Sequence, residues 1–127
     1  MKHEIKLQPI GHIENNFNQP APPEEIRAVE SRIVVNPELQ AGLEGLEAGD
    51  QILVIFYFHL DQGFELIQHP RGDPNRTPRG VFALHSPNRP NGIGVSTVEI
   101  ESIKGNVLLV SGLDALNGTP LLDIKPA

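Results

Sequence analysis

Gln51–Leu60 reads QILVIFYFHL, almost uninterruptedly apolar, β-branched and aromatic. A run of this kind predicts a strand at the centre of the core, buried on both faces. Upstream, Arg32–Val35 reads as a short strand and Ile5–Ile13 as a first strand ending in Gly11-His12-Ile13, with Asn15–Pro23 a polar, proline-rich connection. Asn36-Pro37 supplies a helix N-cap with proline at the first helical position. Leu39, Leu43 and Leu46 then follow at helical spacing up to Gly49, so one short helix is expected. Downstream, Phe64–Gln68, Gly80–Leu84, Ile93–Ile103, Val107–Ser111 and Leu121–Ile124 are short apolar runs separated by Gly, Pro, Asn and Asp. Lys104-Gly105-Asn106 is a good hairpin turn, and Asn117-Gly118 is another turn signal, because both its residues tolerate positive φ. The pattern predicts a mainly β chain: a small single-sheet, closed or nearly closed β-barrel with one short helix. Closure is how a small all-β chain removes exposed strand edges.

Composition bounds the rest. The 127 residues fit one domain, 1–127, with 39% hydrophobic residues for a modest core. The 12 Gly and 12 Pro exceed the usual share of roughly 12% for the pair, which favours turns over helices. There is no cysteine, so disulfides, thiolate zinc sites and cysteine nucleophiles are excluded. No apolar run approaches the roughly 18 residues of a membrane span, and Met1–Gln8 is too charged for a signal peptide, so a soluble, cytoplasmic protein is expected, with no membrane partner. The net charge of −6 argues against non-specific nucleic-acid binding by the whole molecule. Its distribution is uneven, however. Residues 1–69 carry four Lys/Arg against eleven Asp/Glu, whereas Pro70–Asn91 carries Arg71, Arg76, Arg79 and Arg89 against Asp73 alone. Arginine suits bidentate contacts to phosphate or carboxylate better than lysine does.

The densest polar stretch is Arg79–Ser96, RGVFALHSPNRPNGIGVS. It crowds His85, Ser86, Asn88, Arg89 and Asn91 just where a strand is expected to end, and Gly92 and Gly94 follow. Arginine and exposed backbone N–H groups in such a place can approach an anionic or zwitterionic ligand closely; an elaborate loop is the plain structural alternative. Leu113–Pro126, LDALNGTPLLDIKP, pairs a tight turn with an Asp-x-Lys ending. In a strand, Asp123 and Lys125 point to the same face and can form an ion pair or a polar site.

Both stretches resemble one family. RGVFALHSPNRPNGIGVS is similar to the signature RGVFATRSPxRPNPIGLS, and LDALNGTPLLDIKP to LDxxDGTPxLDIKPY, of the TsaA-like or TrmO family. Ile10-Gly11-His12-Ile13 resembles the family's opening, and LEGLEAGDQILVIFYFH its middle segment. The resemblance implies an S-adenosylmethionine-dependent methyltransferase built on a small β-barrel. Its expected acceptor is N6 of N6-threonylcarbamoyladenosine beside the anticodon of tRNA, and it is expected to be a homodimer with the cofactor near the interface and to need no metal. The cofactor pocket so implied takes His59, Leu60, His85, Val95 and the turn Leu113, Asp114, Ala115 and Leu116, whose backbone would hold the adenine, with Pro23 a weaker match. Arg89, Asn91, Asp123 and Lys125 become the candidate catalytic or substrate-side residues.

Transfer from a sulfonium is an in-line displacement, so alignment of donor and acceptor is the protein's main contribution, and Asp123 or His85 is a candidate to accept the proton that N6 loses. The chain departs from the family pattern at His85 (usually Arg), Gly92 (usually Pro) and Asn117 (usually Asp), and it stops at Ala127 without the aromatic that closes the motif. Other readings stand beside this one. The histidines at 3, 12, 59, 69 and 85, with Asp61, admit a metal hydrolase, though none has the helical spacing of a zinc motif. A non-catalytic barrel binding nucleic acid or a nucleotide-like ligand is a second; aromatics of only 5%, with Tyr57 facing away from Phe56 and Phe58, weaken a stacking platform, though they leave Phe17, Phe64 and Phe82 open. A family member that keeps the fold but acts as a sensor is a third.

Overall fold

The structure, a computed structural model, describes residues 3–60 and 63–127. Asp61, named above as a metal-ligand candidate, lies outside the described residues, as does the very start of the Met1–Gln8 segment. Six antiparallel strands close into a barrel in the order β1 (Gly11–Glu14), β2 (Glu30–Val35), β7 (Val107–Ser111), β6 (Ile93–Lys104), β3 (Gln51–Tyr57) and β8 (Pro120–Pro126), and β8 pairs back onto β1. Among the described residues the remaining strands, β4 (Ile67–Gln68) and β5 (Arg79–Gly80), pair only with each other. They form a ribbon in an arm, residues 63–92, that leaves the barrel after β3 and returns at β6.

Alternation fills the barrel. On β3, Ile52, Val54 and Phe56 point inward and are buried, while Leu53 and Ile55 on the other face are only partly covered and Tyr57 is exposed. The expectation of burial on both faces is thus corrected: a barrel strand has one inner face, and no layer covers the outer one. Gly94 on β6 lies against Phe56 and Phe58, whose rings meet edge to face at 5.4 Å. A Cβ on Gly94 would sit 2.6 to 2.8 Å from ring atoms, so this position needs the missing side chain. At Gly11 a Cβ would run into the Val34 carbonyl.

Two bulges shape the site. Strand β6 pairs with β3 through its first half and with β7 through its second, and the register shifts between Ile100 and Ser102 where it turns the corner. In β8 the register shifts opposite Ile55/Phe56, so Phe56 faces Leu121 and Ile55 faces Asp123, with Leu122 the extra residue. Simple alternation from the inward Leu121 would aim Asp123 into the core. The bulge turns it out instead, a common device for re-aiming a side chain.

The barrel meets the expectation, and several element boundaries do not. Strand β1 is only Gly11–Glu14, whereas Ile5 and Leu7 are exposed outside any strand. The helix expected from Asn36 is a 3-10 helix, Pro37–Leu43, and among the described residues the one α-helix, α1 (Pro23–Arg27), starts at the end of the connection read as Asn15–Pro23. The strand expected over Gly80–Leu84 is Arg79–Gly80 followed by a 3-10 turn, and it belongs to the arm. Among the described residues no helix is long and apolar enough to cross a membrane.

Candidate functional site

Three of the family-motif residues, Val95, Asp123 and Lys125, share one outer face of the barrel. Asp123 on β8, Ile55 on β3 and Val95 on β6 lie in one cross-strand row on the outer face, with Lys125, Leu53 and Thr97 in the next. Asp123 Oδ2 stands 3.2 Å from Lys125 Nζ, and its Oδ1 accepts the Ile124 N–H at 2.8 Å, so the same-face ion pair read from the Asp-x-Lys spacing is formed. Beyond the end of β3, Phe58 N–H donates to the Gly92 carbonyl at 2.7 Å and ties the root of the arm to the barrel. The next residue, His59, reaches the Asn117-Gly118 turn: a Cβ on Gly118 would lie 3.8 Å from His59 Nε2. Gly118 itself holds φ 82°, the left-handed turn backbone that its sequence signalled.

The segment between β7 and β8 is the most informative part of the site. Leu113 and Ala115 are buried in the barrel core, so their side chains serve packing and only their backbone is available to a ligand. Asn15 fastens this segment: its Nδ2 donates to the Ala115 carbonyl at 2.8 Å and to Ser31 Oγ at 3.1 Å, while its N–H donates to Asn117 Oδ1 at 3.0 Å. Thr119 Oγ1 donates to the Leu116 carbonyl at 2.6 Å. Among the described residues, none of the backbone N–H groups of Leu113, Asp114, Ala115 and Leu116 donates to a protein acceptor. A half-buried backbone stretch with free donors costs free energy unless a ligand or water satisfies it.

Asp114 adds a carboxylate here. Burial pushes its carboxyl above the ordinary aspartate range, opposed by the Arg27 guanidinium 3.8 Å away on α1. One residue-turn earlier on α1, Glu24 accepts from Arg71 at 2.7 Å, a bond that holds the Glu24 carboxyl below its usual range. Arg71 sits in the arm with φ 55°, the one non-glycine residue in left-handed backbone among those described. Helix α1 therefore bridges the arm to the Asp114 segment. Neither ion pair was legible beforehand, since their partners are far apart in sequence and lie in stretches read as loop.

Other candidates are placed differently. Arg89 Nη1 donates to the carbonyls of Leu84 at 2.8 Å and Ser86 at 3.0 Å, so this guanidinium braces the loop it sits in. Asn91 accepts the Ile93 N–H at the arm's return, and His85 and Leu60 are exposed. Tyr57, Phe58, Phe64, Pro87, Arg89 and Gly92 line a hollow of about 120 Å³ at the root of the arm. A broader groove of about 710 Å³ runs along the outside of β1 and β2 to the Asn117-Gly118 turn. In it His12 and Arg32 both contact Glu14, at 2.9 and 3.1 Å, and the His12 bond holds the Glu14 carboxyl low. Among the described residues no group of three or more His, Asp or Glu comes together as metal ligands would.

A closed barrel with a pinned, donor-rich backbone segment at its rim defines a small-ligand-binding β-barrel. Comparison with known proteins makes this particular: residues 11–127 match the model of the tRNA-methyltransferase O N-terminal domain, and the chain belongs to that family. It is 41% identical over 123 residues to a probable S-adenosyl-L-methionine-binding protein of Methanocaldococcus jannaschii, covering 94% of this chain and 89% of that one. It is 36% identical over 135 residues to the Homo sapiens tRNA (adenine(37)-N6)-methyltransferase, covering 96% of this chain and 30% of the relative. Among solved structures, TrmO from Pseudomonas aeruginosa superposes with a TM-score of 0.72 at 34% identity, over all of this chain and 56% of that one. The chain thus spans just over half the length of the solved TrmO proteins.

Proposed function

We propose that this chain is an S-adenosylmethionine-dependent methyltransferase that modifies N6 of an adenosine in tRNA, N6-threonylcarbamoyladenosine beside the anticodon, as a cytoplasmic homodimer built on one barrel domain. The observation that carries the reading is the Leu113–Leu116 segment, held by Asn15 and Thr119 with its backbone donors free and the Asp114 carboxylate alongside. Such a segment fits a nucleoside cofactor: backbone groups suit the adenine edge and a carboxylate suits ribose hydroxyls. His59 beside Gly118, with Leu60, His85 and Val95, completes the candidate pocket. The relatives named for S-adenosylmethionine binding and for tRNA methylation support the same assignment.

The bound cofactor supplies a methyl group on a positively charged sulfur. The chain's part is to align donor and acceptor, a positional contribution that is large for in-line displacement. Asp123, turned outward by the β8 bulge and oriented by Lys125 and the Ile124 N–H, accepts the proton that N6 gives up, directly or through water. Arg89 holds the Leu84–Arg89 loop in shape, and Asn91 lies at the start of its return to β6.

A second copy completes the pocket. The outer face of β3 and β6 carries Leu53, Ile55, Tyr57, Ile93 and Val95 with no layer over it, the uncharged patch that a twofold contact requires.

Isothermal titration with S-adenosylmethionine and S-adenosylhomocysteine tests the reading, with His85→Ala as control. About one site per chain, weakened by the substitution, is expected; no heat at millimolar ligand overturns the cofactor assignment. A pH–rate profile of Asp123→Asn tests the proton acceptor, since an unchanged rate and profile would discard Asp123. Light scattering that finds only monomer at micromolar concentration removes the shared pocket.

A further inference from the structure

The arm keeps its apolar residues outside. Phe82 is 79% exposed, Ile67 64%, Leu66 58% and Phe64 52%, while Val81, at 1%, is the one deeply buried anchor of this stretch. Its shape does not come from a core. The β4–β5 pairing fixes it, with Val81 N–H donating to the Leu66 carbonyl at 2.8 Å and Gln68 Nε2 donating to the carbonyls of Glu65 and Asn88 at 2.6 and 2.7 Å. A small protein that leaves several large apolar side chains of one arm in solvent marks that arm as a contact surface.

Charge narrows the partner. The ribbon belongs to the one cationic stretch of an otherwise acidic chain, and among the described residues Arg79, next to the Phe82 turn, forms no ion pair, while Arg76 makes only a loose one of 3.7 Å to Asp73. Elsewhere the outer faces of β1, β2 and β6 carry Glu14, Glu30, Glu99 and Glu101 against Arg32, which is paired to Glu14, and Lys104. A polyanion is therefore repelled from that side and admitted at the arm. The twofold contact proposed above takes the outer face of β3 and β6, a different surface from the β4–β5 ribbon.

We propose that the arm is a single-stranded RNA platform, on which Phe82 and Phe64 stack against unpaired bases while Arg76 and Arg79 hold the flanking phosphates. The proposal rests on the reading of this chain as an RNA methyltransferase and names the surface that would present the acceptor loop to the pocket. Aromatic rings need bases free of a duplex, so loops and not helices are the ligand class. Among the described residues of the arm, only the unpaired Arg79 and the loosely paired Arg76 are offered to phosphate, so affinity is modest and falls with salt.

The test uses the full chain and a synthetic RNA anticodon stem-loop, with a blunt duplex of equal length for comparison, read by fluorescence anisotropy. The wild type is expected to prefer the stem-loop. Phe82→Ala is expected to lower that affinity by about tenfold, and Arg79→Ala to reduce the slope of log affinity against log salt by about one. Both variants keep S-adenosylmethionine binding by titration and their mass by light scattering, which shows that they fold. Unchanged stem-loop affinity in Phe82→Ala overturns the platform. So does halving of the mass in that variant, which would give the surface to a second copy. No stem-loop binding by a wild type that binds the cofactor removes the platform as well. Phe82-dependent RNA binding without methyl transfer would instead uphold the platform and overturn the catalytic reading.

Discussion

The barrel and the arm use the same kinds of apolar residue and place them oppositely. In the barrel Ile13, Ile33, Ile52, Ile100, Leu108 and Leu121 are wholly buried, whereas in the arm Phe64, Leu66, Ile67 and Phe82 stay in solvent. The barrel's inner face closes on itself, so each inward side chain is covered by the others. The arm is a two-stranded ribbon with no second layer, and its conformation rests on hydrogen bonds and on the Arg71–Glu24 bond to α1. One region is built for stability and the other for contact.

Matched truncations break or sharpen this contrast most strongly. Ile52→Ala opens a cavity in the barrel and is expected to cost about 2–5 kcal/mol, whereas Phe82→Ala, on an exposed ring, is expected to stay within about 0.5 kcal/mol. Urea midpoints measure both. A loss above about 2 kcal/mol in Phe82→Ala would mean that the arm carries a packed core of its own. Next in size, Gly94→Ala drives a Cβ into the Phe56 and Phe58 rings and is expected to cost about 1–3 kcal/mol by overpacking. Combining it with Phe58→Leu should recover part of that loss, and strict additivity of the two would place the strain elsewhere.

At the junction of the two regions, Asp114 is expected to trade stability for binding. Its carboxyl titrates above the ordinary aspartate range because burial disfavours the charge, so the folded chain holds that proton more readily than the unfolded one. The associated stability is fully present below the unfolded pKa and is lost as pH rises through the raised folded value. Asp114→Asn removes the titration. Its melting temperature relative to wild type is expected to climb as pH rises from below the ordinary aspartate range through the raised folded value, by at most about 3 °C because the carboxyl is only partly buried. The same variant should bind S-adenosylmethionine more weakly. A melting-temperature difference that stays flat with pH would show that the carboxylate is not desolvated.

Legibility in the sequence follows the same division. Barrel strands announce themselves because alternation and turn residues are local: the strand read in QILVIFYFHL starts at Gln51 as expected and stops early, at Tyr57, and the turns at Lys104-Gly105-Asn106 and Asn117-Gly118 lie where expected. Gly80–Leu84 misled because an apolar run looks alike whether a barrel or solvent receives it. Bulges are silent as well. Nothing local to LLDIKP shows that Leu122 is the extra residue, although that register shift decides which way Asp123 points. The motif residues were legible as positions. The groups that fix them, Asn15 on Ala115 and Arg27 beside Asp114, act across about a hundred and about ninety residues and leave no pattern in the chain.

The smallest effect tests the hinge between barrel and arm, where Gly92 stands in place of the family's proline. Ile93 N–H donates to the Asn91 carbonyl at 2.7 Å, which makes Gly92 the centre of a three-residue turn. Its φ is not in the left-handed region, so the turn is of the inverse type, whose central residue has φ near −75°, within reach of a proline ring. Among the described residues the Gly92 N–H donates to nothing that proline would forfeit, and the nearest atom to a Cβ there is Tyr57 Cε1 at an ordinary 3.5 Å. Gly92→Pro is therefore expected to stabilise by about 0.4–1 kcal/mol, acting through the unfolded chain. A destabilised variant would mean that the turn must flex, and loss of cofactor binding with stability retained would place that flexing in the pocket.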